Sequence, residues 1–267
     1  MKITDPNFTT IILAAGLGKR MGSPIPKVLH YLAGKPLIHY TVDLAEAVNS
    51  THILVVVGYK REMVMESLSG RKVSFVIQEK PLGTADAVKS CRPFIEDFEG
   101  DLFILSGDIP LLRANTVNDA YQLHRSTSVS ATVFTFEPPD PSGYGRIIRR
   151  ENQELEAIIE EKDADEKILK ISEVNAGIYF FKALELLSVL PYITAANRSG
   201  EYYLTDAISL LRKKGLVVQG FKVPDPYEVS GINTPQQLAE LEGYLLQRES
   251  QNEGNYITIK SSNMHLI

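Results

Sequence analysis

The apolar positions in the first part of the chain form short runs that alternate with amphipathic stretches. Four apolar runs are bounded by turn-forming residues, a pattern typical of buried parallel strands. Between two of these runs, Leu37, Tyr40, Leu44 and Val48 share one face of a helix. The predicted order is strand 10–13, helix 36–48, strand 52–57, helix 60–68, strand 73–77, helix 85–91 and strand 102–105. This alternation predicts an α/β fold with a doubly wound, mainly parallel (Rossmann-like) sheet and helices on both faces.

The pattern changes after Pro110, where the second half is expected to begin. The further predicted elements are a β-rich segment at 129–136, a strand after Tyr144 and a strand at 173–181. Residues 200–206 are predicted to open a helix that runs to about Lys214, and a last helix follows Thr234 and ends near Gln247. The chain is therefore divided into a half at 1–110, a half at 111–230 and a closing helix at 234–247, together one domain at 1–248. A polar tail at 249–267 is predicted as disordered or as a short strand at a subunit contact.

Composition narrows the functional classes. The 267 residues are 44% hydrophobic and 23% charged, with a net charge of −5, which argues against general nucleic-acid binding. Apolar runs are too short for a signal peptide or a membrane span, so we expect a cytoplasmic protein without a membrane partner. Cys91 is the single cysteine and is predicted as a small core residue, and the five histidines lack metal-ligand spacing, so zinc is not expected.

A glycine-rich, basic loop follows the first predicted strand. Its small residues allow the backbone to approach a ligand closely, and Arg20 and Lys27 add positive charge beside backbone N–H groups, which suits a triphosphate. The spacing Gly16, Gly18, Gly22 does not match a dinucleotide fingerprint, and no Gly-Lys-Ser/Thr triplet indicates a P-loop. An ordinary strand-to-helix turn is the alternative for the glycines. The residues assigned to nucleotide binding here are Leu13, Ala14, Ala15, Gly16 and Gly18.

Two polar residues follow predicted strands at the edge where doubly wound sheets bind ligands. Gln78 has an amide that can pair with the edge of a uracil ring, and Gly83 and Thr84 come at the next helix start. Asp108 is suited to hold Mg²⁺ beside a triphosphate, because this hard ion prefers oxygen ligands. A solvated loop residue is the alternative for Gln78, and a turn residue is the alternative for Asp108.

Small and polar residues in the second half predict a sugar site. Gly145 has no side chain to keep a sugar from its backbone, and Asn175 is placed in a predicted strand to donate an amide hydrogen bond. A tight turn is the alternative use of the glycine. The charge run at 160–167, taken alone, predicts a solvated face.

Several motifs resemble those of the sugar-nucleotide pyrophosphorylases, in particular the uridylyltransferase part of bacterial bifunctional enzymes that also acetylate glucosamine-1-phosphate. The motifs, in the order of that family, are LAAGLGKRM, PKVLH, QEKPLGTADAV, LSGDIPL, GYGRIIR, IIEEKDA, EVNAGIY, GEYYLTD and GINTPQQL. The resemblance covers roughly residues 8–248. It implies uracil and nucleotide binding by Gln78, Gly83 and Thr84, a Mg²⁺ site of Asp108 and Asn233, a sugar-hydroxyl acceptor in Glu160, and an N-acetyl pocket walled by Tyr203 and Thr205.

The resemblance further implies a UTP-dependent uridylyltransferase that makes UDP-N-acetylglucosamine and pyrophosphate from N-acetylglucosamine-1-phosphate. No hexapeptide repeat is present, so we expect no acetyltransferase activity; a separate acetyltransferase chain or a homo-oligomer remains open. One alternative is a uridylyl- or thymidylyltransferase for another sugar-1-phosphate. Another is a non-catalytic regulatory paralogue, against which the joint presence of Arg20, Lys27, Asp108 and Asn233 argues.

Overall fold

The computed structural model describes the backbone of residues 7–262 and the side chains of residues 7–248. The strands are β1 Phe8–Ala14, β2 Tyr31–Leu32, β3 Lys35–Pro36, β4 His52–Val57, β5 Ser74–Ile77, β6 Asp101–Ser106, β7 Ala131–Phe136, β8 Arg146–Arg149, β9 Leu155–Ile159, β10 Val174–Lys182 and β11 Val218–Lys222. The helices are α1 Leu37–Ala47, α2 Arg61–Ser67, α3 Thr84–Ser90, α4 Arg92–Ile95, α5 Ala114–Thr127, α6 Ala183–Val189, α7 Asp206–Lys213, α8 Pro226–Val229 and α9 Pro235–Ser262.

Within residues 7–262, nine strands form one sheet around β1. The order is β11-β7-β10-β6-β1-β4-β5, and β8 and β9 extend it from β10. The run from β6 through β1 and β4 to β5 is parallel, whereas β10 is antiparallel to both β6 and β7. The predicted doubly wound, mainly parallel sheet is confirmed for the half of the chain that contains the glycine-rich loop. Its carboxyl edge brings the loops after β1, β5 and β6 together.

Neighbouring residues of the central strand pack on opposite faces of the sheet. Ile11 belongs to one hydrophobic cluster and Ile12 to the other, and both are fully buried. Leu44 of helix α1 and Val48 just after it pack on the face of Ile12, whereas Leu37 and Tyr40, predicted on the same helix face, pack in a third cluster. Cys91 is buried on the face of Ile11, as the prediction of a small core residue requires. Because both faces are covered, the central strands carry continuous apolar runs.

The second half adds an antiparallel hairpin to this sheet. Strands β8 and β9 pair with each other, and Arg146 at the start of β8 lies opposite Val174 of β10. The pairing of β10 with β7 shifts register between Asn175 and Tyr179. Such a bulge re-aims side chains locally, and here it lies at the predicted sugar site.

Two boundaries differ from the sequence expectation. Helix α7 begins at Asp206, because residues 200–203 have no regular secondary structure and residues 204–205 form a turn. Helix α9 continues to Ser262, past Gln247, since no proline interrupts the segment after Pro235. The alternative strand at 256–259 lies inside this helix, and residues 263–267 of the predicted tail lie outside the described residues. Every helix in the described part of the chain is too short or too polar to cross a lipid bilayer.

Candidate active site

The glycine-rich loop wraps closely around the backbone of Lys27. Gly18 and Gly22 have left-handed backbone conformations, with φ of 59° and 61°, and flank a single 3₁₀ turn. A Cβ added at Gly18 would lie 2.6 Å from the Lys27 Cβ, whereas a Cβ at Gly16 would meet no atom within 4 Å. Gly18 is therefore required by the packing of the loop, and Gly16 leaves open space beside its backbone.

A cavity of about 550 Å³, here the glycine-loop cavity, opens between this loop and the start of α3. Its walls include all eight residues assigned to nucleotide binding: Leu13, Ala14, Ala15, Gly16, Gly18, Gln78, Gly83 and Thr84. Lys27 also lines the cavity, but Arg20 does not. The structure thus brings the loops after β1 and β5 together, as the parallel sheet requires.

Gln78 is held firmly at the wall of this cavity. Its side chain is buried, and Nε2 donates hydrogen bonds to the Gly83 carbonyl oxygen at 3.1 Å and to the Asp86 Oδ2 at 2.8 Å. The Thr84 Oγ1 accepts a hydrogen bond from the Leu204 N–H at 2.9 Å, so this hydroxyl connects α3 to the second half of the chain. Gln78 and Thr84 are therefore oriented by the protein itself.

A charged cluster lies beside the cavity and joins four residues that are distant in sequence. The Lys27 ammonium forms an ion pair with Asp108, and Nζ also donates to the Asn233 Oδ1 at 2.9 Å. The Arg20 Nη2 donates to the same oxygen at 3.0 Å. Asp108 is only 4% exposed and follows β6, whereas Asn233 comes just before α9. The two basic residues of the glycine-rich loop and the two residues predicted to bind Mg²⁺ thus form one cluster.

The oxygens of this cluster fit a hard divalent cation. Asp108 offers a carboxylate and Asn233 a carbonyl oxygen, both of the ligand type that Mg²⁺ prefers. Within the part of the chain that the structure describes, no group of three or more histidine, cysteine, aspartate or glutamate side chains could hold a metal. A cation held by two protein oxygens needs its other ligands from water or from phosphate, which is the usual Mg²⁺ arrangement in phosphoryl-transfer sites.

A second cavity of about 240 Å³, here the Glu160 cavity, adjoins the first. The two cavities share Leu13, Thr84 and Ser106 in their walls. Four of the five predicted sugar-binding residues line the Glu160 cavity: Gly145, Glu160, Asn175 and Thr205. The two cavities are therefore neighbours at the carboxyl edge of the sheet.

Glu160 is a carboxylate that the protein has largely removed from water. Burial raises its pKa, and the neighbouring carboxylates of Asp206 and Asp163 act in the same direction. The hydroxyl of Thr205 opposes this by donating a hydrogen bond to Oε1 at 2.9 Å. Thr205 is thus brought to the predicted sugar site, where it orients Glu160.

Both polar atoms of the Asn175 side chain form hydrogen bonds within the protein. Its Nδ2 donates to the Tyr179 hydroxyl at 2.7 Å, and its Oδ1 accepts from the Gly177 N–H at 3.0 Å. Gly145 lines the same cavity, but a Cβ there would come within 2.9 Å of the Ile158 Cγ2, so the packing of β8 on β9 also requires glycine. Both residues have a structural role beside the role predicted for them.

Tyr203 does not join the other predicted sugar-binding residues. It lines a separate pocket of about 220 Å³ together with Asp163, Asn197 and Asp206. Among the residues whose side chains the structure describes, Glu160 alone borders both this pocket and the Glu160 cavity. The chain turns at Leu204 and Thr205 to begin α7, which sends the side chains on either side of Leu204 to different pockets. A sequence comparison of motifs does not reveal this turn.

Sequence reasoning missed several residues of the two walls, among them Tyr144, Ser106, Glu201 and Tyr179. A signal existed for Tyr179, because residues 175 and 179 fall on the same face of a strand with period two. Asp86 was also missed, although it lies two residues before the end of the QEKPLGTADAV motif and in the first turn of α3. Its contact with Gln78 depends on the folding of α3 against β5.

Comparison with known proteins agrees with this geometry. The family model "Nucleotidyl transferase" matches residues 9–225. The "Bifunctional protein GlmU" of Pelotomaculum thermopropionicum is 43% identical over 242 residues, which are 91% of this chain and 53% of that protein. The protein of the same name from Brevibacillus brevis is 42% identical over 238 residues, 89% of this chain and 51% of that protein. The chain spans about half the length of the curated relatives it matches.

A solved structure supports the fold independently. A putative glucose-1-phosphate thymidylyltransferase from Bacillus anthracis aligns with a TM-score of 0.70 at 23% sequence identity. The alignment covers 89% of this chain and 94% of the other. At this identity the likeness concerns the fold alone.

Proposed function

The chain belongs to the nucleotidyl transferase family, and we propose that it transfers a uridylyl group from UTP to N-acetylglucosamine-1-phosphate, forming UDP-N-acetylglucosamine and pyrophosphate. The observation that carries this proposal is the cluster of Lys27, Arg20, Asp108 and Asn233 beside two adjoining cavities. The GlmU relatives, each about 40% identical over the same region, support the choice of nucleotide and sugar.

In the proposed reaction, a phosphate oxygen of the sugar-1-phosphate attacks the α-phosphorus of UTP. A new oxygen–phosphorus bond forms as the bond to the bridging oxygen breaks, and pyrophosphate leaves with the electron pair. No protein nucleophile is needed, so positioning and charge compensation supply the catalysis. The glycine-loop cavity would hold UTP, and the Glu160 cavity would hold the sugar.

The charged cluster offsets the repulsion between the two anionic substrates. Lys27 lies at the cavity wall, where its ammonium would contact the reacting phosphates, and Arg20 would compensate charge on the leaving pyrophosphate. Mg²⁺ held by Asp108 and Asn233 would supply further positive charge to the triphosphate. In the structure Lys27 and Arg20 both donate to the Asn233 Oδ1, the oxygen that would bind Mg²⁺. Binding of Mg²⁺ there would therefore displace these donors, which would then be available to the phosphates.

The test is pyrophosphate release by the purified chain with UTP and Mg²⁺. N-acetylglucosamine-1-phosphate is compared with glucose-1-phosphate, glucosamine-1-phosphate and a reaction without sugar. We expect release with the N-acetyl sugar and little with the others. Release with another sugar alone would contradict the proposed sugar, and no release with any sugar from folded protein would contradict the proposed activity.

A further inference from the structure

The Asp86 carboxylate fixes which atom of the Gln78 amide faces the glycine-loop cavity. We propose that Asp86 is a positioning residue for base selection: it orients Gln78 so that the cavity accepts a base with a ring N–H, as in uracil, and rejects cytosine. This inference deepens the proposed function and rests on it for the class of ligand, a pyrimidine nucleotide.

Both partners of the Gln78 amide are hydrogen-bond acceptors. Gln78 is 6% exposed, and one of its two terminal atoms lies 3.1 Å from the Gly83 carbonyl oxygen and 2.8 Å from the Asp86 Oδ2. A carbonyl oxygen and an ionised carboxylate only accept hydrogen bonds. The atom that faces them must therefore be the nitrogen, and an amide turned by 180° would bring three oxygens together.

This orientation leaves the carbonyl oxygen of the Gln78 side chain for a ligand. Gly83 and Asp86 account for both hydrogens of Nε2, so Oε1 is the polar atom that Gln78 can offer to the cavity. Gly83 lines the same cavity, and its N–H donates no hydrogen bond to any residue that the structure describes. The wall therefore combines one acceptor with one donor.

Uracil complements an acceptor and a donor in this wall, and cytosine does not. Uracil presents a ring N3–H next to a carbonyl oxygen, which complements an acceptor beside a donor. Cytosine presents an unprotonated N3 next to an amino group, which places acceptor against acceptor and donor against donor. A site built to hydrogen-bond one pattern discriminates strongly against the other, because the mismatched groups are left unpaired.

A purely structural role for Asp86 makes a different prediction. An acidic residue in the first turn of a helix stabilises that helix by interaction with its dipole, whichever base is bound. Loss of this effect would weaken α3 but would change the binding of UTP and CTP by the same factor. The ratio of the two affinities therefore separates the two roles.

The experiment compares UTP and CTP binding to the full chain by isothermal titration calorimetry with Mg²⁺ and without sugar. Asp86→Asn keeps the shape of the side chain but can donate to a turned Gln78 amide. We expect UTP affinity to fall and CTP affinity to rise, so that the UTP-to-CTP ratio drops about 10- to 100-fold. The matched control is Glu62→Gln, which removes an acidic residue from the first turn of another helix, α2, outside both cavities, and should keep the wild-type ratio.

Asp86→Glu and Asp86→Ala keep the test decisive if Asp86→Asn does not fold. The glutamate still only accepts and should retain the preference for UTP, whereas the alanine leaves only the Gly83 carbonyl oxygen to orient the amide and should lose part of that preference. A wild-type ratio in Asp86→Asn or Asp86→Ala would overturn the inference, and so would a wild-type protein that binds both nucleotides equally. A wild-type preference for UTP without pyrophosphate release from any sugar-1-phosphate would refute the proposed function and leave this inference standing.

Discussion

The two adjoining cavities are built in opposite ways. The glycine-loop cavity is walled largely by backbone and small residues, with the Lys27 ammonium at its edge. The Glu160 cavity is walled by side chains whose polar atoms already bond one another, as Thr205 does with Glu160 and Asn175 with Tyr179. The first cavity therefore offers a ligand backbone groups and a positively charged side chain, and the second offers a buried carboxylate within a network of hydrogen-bonded side chains. We expect substitutions in the two to have different kinetic signatures.

Substitution of Asp108 should give the largest effect, on turnover. Asp108→Asn removes the charge that positions Lys27 and the carboxylate proposed to hold Mg²⁺, so kcat should fall roughly 100- to 1,000-fold with little change in KM for the sugar. Pyrophosphate release under saturating substrates measures this. The matched control is Asp43→Asn, because Asp43 also pairs with a lysine, Lys35, but lies outside both cavities. Equal turnover in the two variants would contradict the role of the charged cluster.

Substitution of Glu160 should instead act on the sugar. Glu160→Gln should raise KM for N-acetylglucosamine-1-phosphate about 10- to 100-fold through loss of a charged hydrogen bond, while UTP affinity stays near the wild-type value. Initial rates at varied sugar and UTP concentrations separate the two constants. An increase confined to KM for UTP would contradict the assignment of the sugar to the Glu160 cavity.

The stability of Glu160→Gln should also depend on pH differently from that of the wild type. Burial raises the pKa of Glu160 in the folded protein above its ordinary 4.5, so the wild type loses stability as pH rises from about 4.5 through the folded-state pKa. Glutamine mimics the protonated carboxyl group, so the Glu160→Gln variant does not lose this stability as pH rises. The melting temperature of Glu160→Gln relative to the wild type should therefore be higher at about pH 8 than at about pH 4.5. A constant difference between these pH values would contradict the burial of an ionisable Glu160.

A pair of glycine substitutions should give the smallest effects and sharpen the picture of the first cavity. Gly18→Ala places a Cβ against Lys27 at a left-handed backbone position, so we expect a loss of about 1–3 kcal/mol in the free energy of unfolding and roughly tenfold lower kcat. Gly16→Ala meets open space and should keep the wild-type stability, while its methyl group weakens UTP binding. Chemical denaturation and calorimetry measure both. Equal stability of the two variants would contradict the tight packing of the loop on Lys27.

The comparison also explains how much the sequence could predict. The apolar runs predicted the parallel part of the sheet, and the loop residues assigned to the nucleotide line one cavity because they follow strands that end at the same edge. The second half depends on contacts across long stretches of sequence. The turn that sends Tyr203 and Thr205 to different pockets and the internal hydrogen bonds of Asn175 arise from the packing of α7 and from the bulge in β10. Helices α5 and α6 were not assigned from sequence.

The most direct test of the account is a crystal structure of the chain with UDP-N-acetylglucosamine and Mg²⁺. We predict the uracil against Gln78 in the glycine-loop cavity, the sugar against Glu160, and the diphosphate at the wall of Leu13, Thr84 and Ser106 that the two cavities share. A sugar bound in the separate pocket beside Tyr203, or a product that leaves either cavity empty, would contradict the claim that the two cavities form one active site.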